Sequence, residues 1–95
     1  MDRFCKEAAL IFKAVGDENR VGILIRLTAG EYSAGALLES LEISQPTLSH
    51  HMKLLCQSGL VEQRKIGRTV YYSLSADGTR RARKLLKTIT KPKSD

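Results

Sequence analysis

Five residues near the middle of the chain, Gln45, Pro46, Ser49, His50 and Lys53, fall at i, i+1, i+4, i+5 and i+8. On a helix that spacing makes one continuous stripe. Its side chains are short, or they end in hydrogen-bond donors and acceptors. The chemistry they suit is contact with base edges, where the backbone must come close and polar groups must meet the groove's donor and acceptor pattern. Gln45 can pair bidentately with adenine, Ser49 can donate or accept, and His50 can donate to a guanine acceptor or a phosphate. Ser44 precedes the stripe as a helix-capping residue, and the free N–H groups around Ser44–Thr47 favour an anion. Thr47 stands at the edge of the stripe, within reach of a sugar-phosphate backbone. The plain alternative is a solvated helix face. Such faces are rich in Glu, Lys and Ala, whereas no acidic residue occurs from Ser44 through Gly59.

A second cluster, Arg64, Lys65 and Arg68, follows in a β-rich stretch. A basic turn there can lay Arg68 into a minor groove while Arg64 and Lys65 bind phosphates. Basic residues placed for solubility are the alternative. His50 and His51 diverge by about 100° around a helix and cannot chelate one metal from a shared face. His51 is therefore expected at the core boundary, hydrogen-bonded. Two cysteines, Cys5 and Cys56, make no disulfide framework. If the fold brings them together, thiol-based redox or metalloid sensing could act on the helix that carries the stripe, although packing is the commoner role of a free cysteine. Two thiolates fall short of the three or four ligands a metal usually needs, and Met52, one turn before Cys56, reads as packing. No metal site is expected. Nor is enzyme activity or a cofactor: no nucleophile stands with a base and an orienting acid, and no Gly-rich phosphate loop occurs.

These residues need elements to hold them. Phe4, Ala8, Ile11, Phe12 and Val15 predict an amphipathic helix over 3–15, stopped at Gly16. Asp17 caps a second helix, with Val21, Leu24, Ile25 and Thr28 as its buried stripe and Gly30 as its end. Ala34, Leu37, Leu38 and Leu41 predict a short third helix. After a break at Glu42-Ile43, Ser44 and Pro46 open a fourth over 44–58, with Leu48, Met52 and Leu55 inward and Gly59 just past its end. Two helices joined so tightly fit a helix-turn-helix. The period then changes to two: Leu60–Ile66 and Thr69–Leu74 predict a hairpin turning at Gly67-Arg68, a wing at 64–69. Ser75 caps a last helix whose Ala82, Leu85, Leu86 and Ile89 share a face, and Pro92 closes it. The expected fold is mainly α with a small β-hairpin, a winged helix-turn-helix in the order α-α-α-α-β-β-α. Residues 1–91 are expected to form a single DNA-binding and dimerisation domain, and 92–95 a frayed tail.

At 95 residues, 42% hydrophobic and 27% charged, the chain supports one thin core, and leftover apolar helix faces predict a partner subunit. Net charge is +6, unevenly spread. Residues 1–41 carry net −1, 42–75 carry +2 and 76–95 carry +5, so the basic half begins where the stripe begins. That suits a polyanion. The longest apolar run, Ala8 to Phe12, is short, and no secretory signal pattern follows Met1; a cytoplasmic location with no membrane partner is expected.

The segments Phe12–Arg20, Ile43-Ser44-Gln45-Pro46-Thr47-Leu48-Ser49-His50-His51-Met52-Lys53-Leu54-Leu55 and Ser58–Val61 resemble the ArsR/SmtB family. Gly67–Leu74 looks like that family's wing, and the match runs over roughly residues 8–75. The resemblance implies a homodimeric repressor of double-stranded DNA, paired through its first and last helices, with base contacts at Gln45, Pro46, Ser49 and His50. Two such helices would read an inverted repeat with half-sites about one turn (~34 Å) apart. The family's metal sites do not carry over. Its Cys-x-Cys positions hold Ser33 and Gly35 here, and Ala76–Lys91 contains no His and one acid, Asp77. The effector is left open. A winged-helix protein-interaction module and a non-specific DNA-binding protein are the rival functions.

Overall fold

Every helix begins where the sequence supplies a capping oxygen. The computed structural model describes residues 2–93. In it Asp2 accepts from the Cys5 N–H at 2.9 Å and opens α1 (Arg3–Val15). Asp17 accepts from Asn19 and Arg20 at 2.9 and 3.2 Å and opens α2 (Glu18–Leu27). Ser33, Ser44 and Ser75 do the same for α3 (Ala34–Ser40), α4 (Gln45–Gln57) and α5 (Ala76–Ile89). Each cap satisfies an N–H that the first turn leaves without an intrahelical partner.

Between α4 and α5 run β2 (Val61–Ile66) and β3 (Thr69–Leu74), paired antiparallel from Val61↔Leu74 to Ile66↔Thr69. Gly67 takes φ +62° at the first turn position while Arg68 keeps a negative φ, the pattern of a type II′ hairpin turn. One element was not expected. Tyr32–Ser33 form a two-residue strand, β1, that pairs with β3 at Tyr32↔Tyr72 and Ser33↔Tyr71. The sheet order is therefore β1-β3-β2, with β3 central. Two residues carry no readable alternation, so only their partner reveals them.

The core gathers Ile11 and Ala14 of α1, Ile23 and Leu27 of α2, Leu37 of α3, Leu48, Met52 and Leu55 of α4, Leu60, Val61 and Leu85. Two expected faces need correcting. In α1, Phe4 and Phe12 stay exposed, and Ala14 replaces them on the inward face. In α2 the stripe of Val21, Ile25 and Thr28 faces outward; Ile25 is 63% exposed, while Arg20, Ile23 and Leu27 are buried. Apolar residues spread over more than half of that helix, so spacing alone offers two inward faces. The choice falls to Arg20, whose polar head finds buried partners. Past α5, Pro92 and Lys93 lie outside any helix or strand, and the rest of the expected tail, residues 94 and 95, lies outside the described residues. No described helix is long and apolar enough to cross a membrane.

Candidate nucleic-acid interface

α4 presents two faces of opposite character. Leu48, Met52 and Leu55 are at most 4% exposed and anchor it to the core. Gln45, Pro46, Thr47, Ser49, His50 and Lys53 are all exposed on the other side. At its start the Ser44 hydroxyl donates to Thr47 Oγ1 at 2.9 Å and accepts from the Thr47 N–H at 3.3 Å. The Thr47 hydroxyl, with its oxygen already accepting, keeps its own proton for an outside acceptor. Pro46 brings no N–H and fits the first turn without cost. The outcome is an acid-free, small-residue surface with donors at its leading end.

His51 is fixed from behind. It is 6% exposed, and its Nδ1 lies 3.0 Å from Arg20 Nη1. A guanidinium can only donate, so Nδ1 accepts and the ring proton sits on Nε2. Nε2 is buried without a hydrogen-bond partner among the described residues. Arg20 also donates from Nε to Ala14 O at 2.8 Å and from Nη2 to Lys13 O at 3.1 Å, closing the C-terminal end of α1. One side chain thus ties the end of α1, the start of α2 and the middle of α4. Burial holds the His51 pKa below the usual histidine value, Arg20 and His50 push the same way, and Asp17, 3.9 Å off, opposes them. At neutral pH the ring is uncharged. Sequence reasoning placed His51 at the core but missed Arg20, because a charged residue inside a helical pattern reads as solvated.

The wing divides its basic residues. Lys65 and Arg68 are exposed and, like Lys53, form no ion pair among the described residues. Arg64, expected at a phosphate, instead grips Glu31: Nε donates to Oε2 at 2.7 Å and Nη2 to Oε1 at 2.6 Å. Its guanidinium carbon also lies 5.1 Å from the centre of the Tyr71 ring. The Arg64 hydrogen bond holds the Glu31 carboxyl below the usual carboxylate range. Glu31 went unnoticed in the sequence because it lies 33 residues away.

Both cysteines are free. Cys5 is exposed, contrary to a packing role, and its thiol pKa is raised, first by its hydrogen bond to Asp2. Cys56 is half-buried, and burial pushes its thiol up too. Both changes lower the thiolate fraction that redox or metalloid chemistry needs. The positions that would hold a family metal carry the wrong donors. Ser33 Oγ is engaged in capping α3, Gly35 has no side chain, and Asp77 pairs with Arg80 at 2.9 Å. Among the described residues no three His, Cys, Asp or Glu side chains gather as a metal site.

The chain is similar to known proteins in sequence and in fold. Residues 17–63 match the family model described as bacterial regulatory protein, arsR family. The chain is 47% identical over 70 residues to an arsenical resistance operon repressor of Staphylococcus aureus, covering 74% of this chain and 67% of that protein. It is 41% identical over 76 residues to the transcriptional activator HlyU of Vibrio cholerae, covering 80% and 70%. Among solved structures, HlyU from Vibrio cholerae superposes with a TM-score of 0.74 at 37% identity, covering 95% of this chain and 98% of that one. An ArsR-like transcriptional regulator from Rhodococcus reaches 0.78 at 32% identity, covering 88% and 77%.

Proposed function

The chain belongs to the arsR family of bacterial regulatory proteins, a family of DNA-binding transcriptional regulators, and on that premise we propose how it reads its operator. The N-terminal half of α4 enters the major groove. Gln45, Ser49 and His50 meet base edges, Pro46 allows close approach, and Ser44, Thr47 and Lys53 hold the backbone. Lys65 binds a phosphate and Arg68 reaches from the wing tip into the adjacent minor groove. A homodimer formed through α1 and α5 presents the two α4 helices to an inverted repeat. Occupation of that repeat represses transcription, as the names of several relatives describe for those proteins. The protein acts on double-stranded DNA in the cytoplasm, as a regulator and not as a catalyst.

One observation carries this reading: the face Gln45–Lys53 is wholly exposed and free of acid, while the opposite face is locked into the core. Binding sites selected from random duplex, followed by binding of alanine variants, test it. Gln45→Ala and His50→Ala should each relax specificity at one base position, at a cost of ~1–3 kcal/mol, whereas Arg68→Ala should weaken all sequences alike. Equal binding of every duplex by the wild type would favour a non-specific protein instead.

A further inference from the structure

Glu31 and Arg64 lie on the opposite side of the wing from the face that meets α4. Side chains directly opposite in an antiparallel ladder share a face, and neighbours along a strand alternate. Val61, Gln63 and Lys65 therefore share one face with Leu74, Tyr72 and Val70. Val61 is buried, so that face is the inner one, and Gln63 and Tyr72 line a hollow with Ser49 and Lys53 of α4. Arg64 and Tyr71 belong to the outer face, directly across from each other, with Ser33 of β1 paired to Tyr71 on its far side. From there the Arg64 side chain passes over the Tyr71 ring and ends on Glu31, the residue before β1. It spans all three strands.

We propose that Glu31 and Arg64 are positioning residues for the wing, a strut across its outer face, and that Arg64 is not a phosphate ligand. Val61, Tyr72 and Leu74 pack the base of the hairpin on the core, but its outer part has little beyond the strand ladder to fix it. Every residue from Glu62 to Thr69 is exposed, so packing does not set the angle at which Lys65 and Arg68 are carried. A solvated ion pair contributes little to fold stability. Its two parallel hydrogen bonds nonetheless define one geometry, which lysine, with a single point charge, cannot reproduce. The strut takes up the Nε–Nη2 edge of the Arg64 fork, the edge that would otherwise suit a bidentate anion.

The inference rests on the operator reading above, and it is tested both with and without DNA. Binding of the full chain to its selected operator is followed across salt concentration for wild type, Lys65→Ala, Arg68→Ala, Arg64→Ala, Arg64→Lys and Glu31→Gln. Each lost phosphate contact makes the log–log slope shallower by about 0.9. Lys65→Ala should show that change, and Arg68→Ala, which loses the minor-groove contact, should weaken binding to every sequence. Arg64→Ala, Arg64→Lys and Glu31→Gln should keep the wild-type slope and weaken binding roughly two- to fivefold, the range of a surface pair's coupling. A shallower slope for Arg64→Ala, wild-type affinity for Arg64→Lys, or tighter binding by Glu31→Gln would each overturn the proposal. In the DNA-free protein, backbone order parameters over 62–70 should fall in Arg64→Lys and Glu31→Gln, with the unfolding temperature nearly unchanged. Unaltered order there would overturn the strut even if the operator reading stood, and lowered order would support it even if that reading failed.

Discussion

Single residues fix α4 against the helices around it. Arg20 donates to His51 from a buried position, so replacing either partner leaves the other's polar group unsatisfied. His51→Leu should cost roughly 1–3 kcal/mol of stability, while His51→Asn, whose side-chain oxygen falls near the Nδ1 position, should retain most of it. Wild type and either variant also separate by pH, since neither replacement titrates. The folded-state pKa of His51 is depressed, so the unfolded chain takes up the proton first as pH falls. Its contribution is complete above the unfolded value near 6.5 and declines as pH drops towards the folded one. Chemical denaturation between pH 7 and 5 should show a falling stability in wild type and a flatter profile in His51→Asn. Equal slopes would show that another group titrates. The outward stripe was legible at this scale because a helical period and residue type sufficed. Arg20 and Glu31 were not, since each takes its role from a partner distant in sequence.

Element boundaries were the most legible feature, because a cap is a local hydrogen bond between residues two or three apart. What lies between elements was less so. β1 exists only through β3, and the outward turn of Val21 and Ile25 reflects where α2 packs. Gly78 shows the same limit. A glycine in the first turn of α5 carries no meaning in sequence, yet a Cβ there would sit 1.7 Å from Gly59 O and 2.7 Å from Gly59 C. The start of α5 therefore rests directly on the chain leaving α4. Helix propensity alone would make Gly78→Ala stabilising by about 1 kcal/mol. The clash should reverse that sign and cost roughly 1–3 kcal/mol, the scale of an overpacked site. Thermal unfolding decides between them, and a raised melting temperature would show that the contact yields.

On the scale of the whole molecule, the thin core leaves Phe4, Phe12, Leu86 and Ile89 on the surface, each 39–48% exposed. They lie on α1 and α5, where the proposed second copy would cover them. Leu86→Glu combined with Ile89→Glu should yield a folded monomer by sedimentation, with operator affinity lowered at least tenfold, since one half-site then binds without its partner. A dimer that persists would place the interface elsewhere. Composition led to the expectation of a partner subunit; which apolar residues stay uncovered follows only from how the helices pack. The most direct measurement is hydroxyl-radical and methylation footprinting of the selected operator by the wild-type protein and by Gln45→Ala. Two protected major-groove segments about one helical turn apart (~34 Å), both weakened by the substitution, are expected. Protection that ignores sequence, or that Gln45→Ala leaves untouched, would contradict the account.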